Sequence, residues 1–531
     1  MKNRIKGIEV NILRNFDYDN IPIVDIVNEI IVDSLKRGAS DIHFDPTPEV
    51  LKIRIRIDGD LLDYAIVPDS VRRQMTTRIK NISHMNITES RTPQDGAIKD
   101  TILGYDVDLR VSCLPVVNGE KIVIRILDYS MSLNGLETLG FSAQNFKKIE
   151  KMISVPNGII LVTGATGSGK STTVYSILQR LNKTERNLIT VEDPVEMKMA
   201  GINQVQVISE IGMTFAAALR SILRQDPDII MIGEIRDNET ASIAVRASIT
   251  GHLVLSTIHT NNALNTIERL VDMDVERYLL GASLVGIVAQ RLTKRLCKHC
   301  RIKRKPTKYE ALVFEKALKR KVDFIYSPNE DGCEHCVKGY HGRIPVHEVL
   351  LMNQEIRDAI VGNLVKKELR KLIYNEQNVI SLLQDGLEKV IEGVTSFEEI
   401  LRVIDVADDV SEDDYELKQA LLGNLNSAAS AEEIKREKEA IKRSESAPVI
   451  NFASQPKPSN ITSTPTNNQT INNNNNQKPI EQQVQNRPPI IHPPQSNNFM
   501  NNNIKEAPTI NQNPPRPTPI PGAIPTINNQ Y

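Results

Sequence analysis

Residues 159–173 read IILVTGATGSGKSTT, and their reading decides the fold. Gly164, Gly169, Lys170 and Ser171 satisfy the pattern G-x-x-x-x-G-K-[ST]. Glycines at these positions let the backbone turn tightly, so that consecutive N–H groups converge on phosphate oxygens. Gly164, Ala165, Thr166, Gly167, Ser168 and Gly169, followed by Lys170, Ser171 and Thr172, are therefore the candidate cradle for a polyphosphate. Lys170 is expected to reach the β- and γ-phosphates and the Ser171 hydroxyl to ligate Mg²⁺. The apolar run at 159–162 predicts a strand entering the loop. Residues 171–181 predict a helix leaving it, whose N-terminus favours an anion.

Outward from the loop, strands fit at 187–192, 228–233 and 252–257, with helices between them. This alternation predicts an α/β fold with a largely parallel sheet, the loop sitting at the carboxyl end of its first strand. Hydrolysis also needs Mg²⁺ and a group that orients water. Three stretches can supply them. In 189-ITVEDPVE-196 an apolar strand ends in Glu192 and Asp193, with Glu196 beyond Pro194; these carboxylates suit Mg²⁺ or water, or form a solvated acidic turn. In 226-DPDIIMIGEIRD-237 the strand delivers Glu234, the first candidate for water activation, with a salt bridge to Arg236 as the alternative. In 250-TGHLVLSTIHTNNA-263, His252 and His259 bracket a strand, and an imidazole there can sense a γ-phosphate through a hydrogen bond.

The chain has 531 residues, 40% hydrophobic and 25% charged, with a net charge of −1. That length accommodates several domains, and the charge balance provides no global basic field for nucleic acid. No run of about 18 apolar residues predicts a transmembrane helix, and the first residues carry no signal-peptide core. The expected location is cytoplasmic, with any membrane association made through partners.

Residues 1–20 read as an extension. A small α/β domain is expected at 21–129: a helix at 21–37, the alternating strand 51-LKIRIRI-57, and strands at 107–114 and 121–127 around a hairpin loop at 115–120. Residues 130–143 read as a linker, and 144–408 as the nucleotide-binding domain, ending in helices over 354–408. A charged helical segment follows at 409–446. The Asn/Gln/Pro-rich stretch 447–531 cannot bury enough apolar surface to offset the entropy of ordering and is expected to be disordered.

Four of the five cysteines form two pairs, Cys297/Cys300 and Cys333/Cys336, spaced C-x2-C-x32-C-x2-C within an element at 297–336. In a reducing compartment this spacing argues for a closed, structural Zn²⁺ shell of thiolates. Cys113, alone in a strand, reads as a small core residue.

GATGSGKST, ITVEDPVE, LRSILRQDPDIIMIGEIRD and TGHLVLSTIHTN together resemble the secretion ATPases of type II secretion and type IV pilus assembly. In that family these stretches are the Walker A loop, the Asp box, an atypical Walker B and the His box. SLKRGASDIHFDP, PQDG, DLRVSCLPVVNGEKIVIRILD, GFSAQNFKKI, GINQVQV and VAQRLTKRLC match as well, so the resemblance spans residues 21–408. It implies a RecA-like P-loop core, a smaller PAS-like N-terminal domain, and a homohexamer. ATP would bind between the two domains, with Arg110 and Arg125 of the smaller one completing the site. The tetracysteine element, typically absent from retraction ATPases, implies assembly or secretion.

The resemblance further implies an inner-membrane platform protein as partner, with a cytoplasmic docking protein as a further candidate and no direct nucleic acid. The family's PQDGR is here Gln94-Asp95-Gly96-Ala97, which removes the arginine. The expected function is ATP hydrolysis that powers type IV pilus extension, with type II secretion or a DNA-uptake pilus as alternatives. A nucleic-acid translocase and a non-hydrolysing scaffold are the competing classes.

Overall fold

Strict alternation in residues 51–57 makes a strand with one apolar face, and the chain builds it into a six-stranded antiparallel sheet. The computed structural model describes residues 4–5, 8–9, 13–127, 135–410 and 415–425. The expected tail at 447–531, residues 130–134 of the expected linker and most of the charged segment at 409–446 lie outside them. The sheet comprises β1 (Ala39–Pro46), β2 (Val50–Ile57), β3 (Asp60–Pro68), β4 (Gln94–Ile102), β5 (Tyr105–Val116) and β6 (Gly119–Ile126), in the order β3-β2-β1-β6-β5-β4. Strands β5 and β6 run further into the expected hairpin loop than the sequence suggested, leaving Val117 and Asn118 between them.

Helices α1 (Ile23–Lys36) and α2 (Asp69–Ile82) pack on one face of this sheet. Ile26, Ile30, Met75 and Ile79 meet Ile53, Leu109 and Ile124 there, all buried. Each such side chain contributes about 1.5–3 kcal/mol of burial free energy. The other face carries polar side chains. Across it, pairing aligns Ala97, Arg110, Arg125, Asp41 and Arg56 in one transverse row.

The second sheet has seven strands. In chain order these are β7 (Gly158–Thr163), β8 (Leu188–Glu192), β9 (Asn203–Gln206), β10 (Ile229–Ile232), β11 (Leu253–Ile258), β12 (Leu284–Leu296) and β15 (Tyr340–Leu351). A separate short ribbon, β13 (Ile302–Arg304) with β14 (Ile325–Ser327), lies between the last two in sequence. The sheet order is β9-β8-β10-β11-β7-β12-β15, parallel throughout except for the β12–β15 pair. The inner strands read as continuous apolar runs because both faces are covered by helices. Ile159 and Leu161 enter the core on one face, Ile160 and Val162 that on the other.

Helix α3 (Ala143–Ser154) precedes β7, α4 (Lys170–Leu181) follows the phosphate loop, α5 (Phe215–Ile222) precedes β10, and α6 (Asn238–Ile249) is capped by Asp237. Among the described residues no helix is long and apolar enough to cross a membrane.

Candidate active site

The parallel sheet places the chemistry at one edge. The phosphate loop follows β7, Glu192 ends β8, Glu234 follows β10 and His259 follows β11. These are the carboxyl ends of adjacent strands, where open α/β sheets bind ligands.

The loop needs its glycines. Gly164 has φ +150°, and a Cβ there would lie 2.4 Å from the Gln290 carbonyl oxygen. Gly169, at φ +88°, precedes the first residue of α4. Lys170 donates to the carbonyls of Gly164 (2.8 Å) and Ala165 (3.1 Å). Burial pushes its ammonium pKa down, and the Glu234 charge opposes that shift. Gln290 of β12 braces the loop from behind: its Nε2 donates to the Ser168 carbonyl at 2.8 Å, and its Oε1 accepts from Thr173 Oγ1 at 2.8 Å. Sequence reasoning missed Gln290. The available signal was a lone uncharged amide in the apolar run LVGIVAQ.

The two principal carboxylates differ. Glu192 is buried, with Oε1 accepting from Thr190 Oγ1 (2.5 Å) and Gln204 Nε2 (3.1 Å) and Oε2 accepting from the Tyr175 hydroxyl. Its oxygens are thus supplied with protein donors. Glu234 stands at the cleft, bonded to Arg236 through Oε1 and 3.3 Å from His259 Nε2 through Oε2. Burial raises its pKa, but the Arg236 hydrogen bond and charge, aided by His259, outweigh this and hold it below the usual carboxylate range. The salt bridge considered as an alternative therefore exists, and it leaves Glu234 ionised beside the loop.

His252 stands apart. It precedes β11 while His259 follows it, and six strand residues separate the two ends by roughly 20 Å. Its Nδ1 lies 2.9 Å from the Ala247 carbonyl at the end of α6.

The N-terminal sheet reaches the site through its polar face. Arg110 meets Glu196 in a two-pronged pair, with Nη2–Oε2 at 3.0 Å and Nη1–Oε1 at 3.4 Å. Arg125, opposite Arg110 in register, donates from Nε to Asp41 at 3.0 Å and stays largely exposed.

A cleft of about 430 Å³ is lined by the loop, Ser171, Glu192, Asp193, Glu196, Glu234, His259 and Arg343. A neighbouring cavity of about 980 Å³ has walls from both sheets and from the cysteine element. The two cavities share Gly169, Thr172, Leu292 and Arg343. Arg343 was not among the residues expected from sequence.

The four paired cysteines converge: their Sγ atoms all lie within 4.8 Å of one another. Individual separations are 3.7 Å for Cys297–Cys333, 3.5 Å for Cys300–Cys336 and 3.6 Å for Cys333–Cys336. A tetrahedron with metal–sulfur bonds of about 2.3 Å has edges of about 3.8 Å, so the donor set fits zinc in both chemistry and spacing. Cys113 is buried in the N-terminal core, as expected of a small apolar residue.

Comparison with known proteins agrees with this geometry. Residues 17–402 match the family model described as type II/IV secretion system protein. The type II secretion system ATPase E of Vibrio cholerae is 43% identical over 385 residues, covering 72% of this chain and 76% of that protein. The type IV pilus assembly ATPase PilB of Thermus thermophilus is 42% identical over 397 residues, 75% of this chain and 44% of that longer protein. Among solved structures, the pilus retraction motor PilT with bound ADP aligns with a TM-score of 0.50 and 26% identity, over 71% of this chain and 96% of that one.

Proposed function

The chain belongs to the type II/IV secretion system protein family, whose members are secretion ATPases, and on that premise we propose that it is a homohexameric motor that assembles a pilin-type filament. ATP hydrolysis at the cleft would drive an inner-membrane platform protein from the cytoplasmic side. The observation that carries this reading is the convergence of the phosphate loop, Glu234 and His259 at adjacent strand ends, with a tetracysteine cluster at the wall of the neighbouring cavity. In the resembled family that cluster accompanies assembly rather than retraction.

The phosphates would lie on the N–H groups of residues 165–170, with Lys170 leaving its loop carbonyls to meet them. Glu234, ionised, would orient the attacking water. His259, bonded to Glu234, would register the γ-phosphate. Ser171 would ligate Mg²⁺, which supplies charge neutralisation when bound. Arg110 and Arg125 would reach the phosphoryl group as the N-terminal sheet closes; charge placed in a water-poor site is worth most there. The four thiolates would hold Zn²⁺ as a structural tie, since a shell of four protein ligands has no open position.

Two systems fit. Type IV pilus extension is the sequence expectation. Type II secretion is favoured by the match to the Vibrio cholerae ATPase, which extends over far more of that protein than the match to PilB does. The test is Glu234→Gln in the native host. Loss of surface pili assigns the motor to pilus extension. Pili that persist while a secreted protein stays in the cell assign it to type II secretion. Normal pili and normal secretion would refute both.

A further inference from the structure

We propose that Asp408 is a positioning residue for hydrolysis: it clamps the turn that carries His259 and so keeps the imidazole aimed at Glu234. The proposal rests on the reading of Glu234 and His259 as hydrolytic partners. The family match ends at residue 402, so Asp408 lies in a stretch outside it.

The turn after β11 needs a fixed position. His259 Nε2 is 3.3 Å from Glu234 Oε2, and about half of the imidazole is exposed, so its aim depends on the backbone beneath it. The next residue, Thr260, is tied to the end of β7. Its N–H donates to Thr163 Oγ1 at 3.0 Å, and Thr163 Oγ1 donates to the Thr260 carbonyl at 2.9 Å. Thr163 directly precedes the phosphate loop, so one side of the turn is anchored there.

Residues beyond 402 anchor the other side. A short helical turn, Val406–Asp409, presents Asp408 to Asn261 and Asn262. Asn261 Nδ2 donates to Asp408 Oδ2 at 2.5 Å, and Asn262 Nδ2 donates to the Asp408 carbonyl at 3.0 Å. Asn262 also caps α7 (Ala263–Asp272), its side chain accepting from the Asn265 N–H. Holding two consecutive residues restrains the turn against both sliding and rotation.

Arg291 of β12 completes the clamp. Its Nη2 donates to the Asn261 carbonyl at 3.3 Å, and its Nη1 donates to the Val403 carbonyl and lies 3.0 Å from the buried Asp409 Oδ2. Gln290, the residue before it, points to the opposite face of the strand and braces the phosphate loop. One strand thus supports the loop and the clamp together. Asp408 does not line the cleft, so its loss should act on the rate and not on nucleotide affinity.

The test measures ATP turnover and fluorescent-ADP affinity on the purified full chain. Asp408→Ala should lower kcat by roughly 10- to 100-fold, the cost of displacing a reacting group by about 1 Å, with ADP affinity unchanged. Because Asp408 acts through His259, adding Asp408→Ala to His259→Ala should cost no further activity; groups that work as a unit are non-additive. Exchanging the partners, Asn261→Asp with Asp408→Asn, reverses the bond and should restore most of kcat. Normal turnover in Asp408→Ala would overturn the proposal. So would a matching loss of ADP affinity, losses that multiply with His259→Ala, or an exchange that restores nothing. His259→Ala alone separates the two readings. If it turns over normally, the hydrolytic role of His259 fails and the clamp with it. If it is slow while Asp408→Ala is normal, only the clamp fails. The melting temperature of each variant guards against misfolding. Asn261→Ala removes the same bond from the other side and replaces Asp408→Ala if the latter is unstable.

Discussion

Arg110 and Glu196 join the N-terminal sheet to the phosphate-binding cleft through a two-pronged ion pair, the closer contact being 3.0 Å. Both side chains are one-third exposed, so the pair contributes at most about 1 kcal/mol to stability. A bound polyphosphate can therefore draw the arginine away at little cost.

Arg110→Ala is expected to lower ATP turnover by at least about 10-fold, because an arginine on a transferring phosphoryl group matters far more than a surface pair. The melting temperature should barely move. Turnover and melting are measured on the same preparation; a loss of activity fully explained by unfolding would remove the arginine from the mechanism.

Glu234→Gln should bind ATP and hydrolyse it roughly 100-fold or more slowly, as expected for loss of a group that orients or deprotonates water. The pH profile provides a second check. Glu234 is held below the usual carboxylate range, so activity should be present above that depressed pKa and lost only in acid. Removing the cation by Arg236→Ala leaves burial as the dominant influence, which raises the pKa. The acid limb of kcat should then move upward in pH. An unmoved limb would show that the limb reports another group.

Cys297→Ser should release one equivalent of zinc and lower the melting temperature, since a structural zinc site adds its binding energy to folding. Metal analysis and calorimetry check this. A chain that melts normally with no metal would show that the thiol cluster holds no structural ion.

Asp409 introduces a pH dependence of stability. Burial pushes its carboxyl up to about 7, against the opposing charge of Arg291, 3.0 Å away. The folded pKa lies above the ordinary 3.8, so folding binds a proton in this window. Stability should be fullest below about pH 4 and fall as pH rises through about 7, at about 1.4 kcal/mol per unit of displacement. Asp409→Asn should flatten that slope between pH 5 and 8 in thermal melts. An unchanged slope would mean that other groups govern it.

Much of the site was legible because its residues sit beside strong local signals. The strands at 159–163, 187–192, 228–233 and 252–257 are apolar on both faces and bounded by turns, and each was found within a residue or two. Glu192, Glu234 and His259 follow from those strands. The N-terminal sheet was only half legible. Gln94–Ile102 reads QDGAIKDTI, an edge strand with too few apolar residues to alternate. Helix α2 is polar apart from a narrow stripe with Met75 and Ile79. The long β12–β15 pair was missed because charged residues dominate its outer half, as in RLTKRL. Gln290 reaches the loop and Arg343 the cleft only because that pair runs beside the phosphate loop, a long-range juxtaposition that no local spacing encodes.

Strand β12 carries Gln290 behind the phosphate loop and runs on to the edge of the cysteine cluster at Cys297. At about 3.3 Å per residue, with a register irregularity between Lys294 and Leu296, those seven steps form a spacer of at most roughly 23 Å. One inserted or deleted residue would turn every following side chain to the opposite face. Leu292 would leave the cleft, and the first thiol pair would lose its partners. The segment can thus accept changes of residue type far more readily than changes of length, and insertions that loops elsewhere in the chain would absorb should be lethal to both sites here.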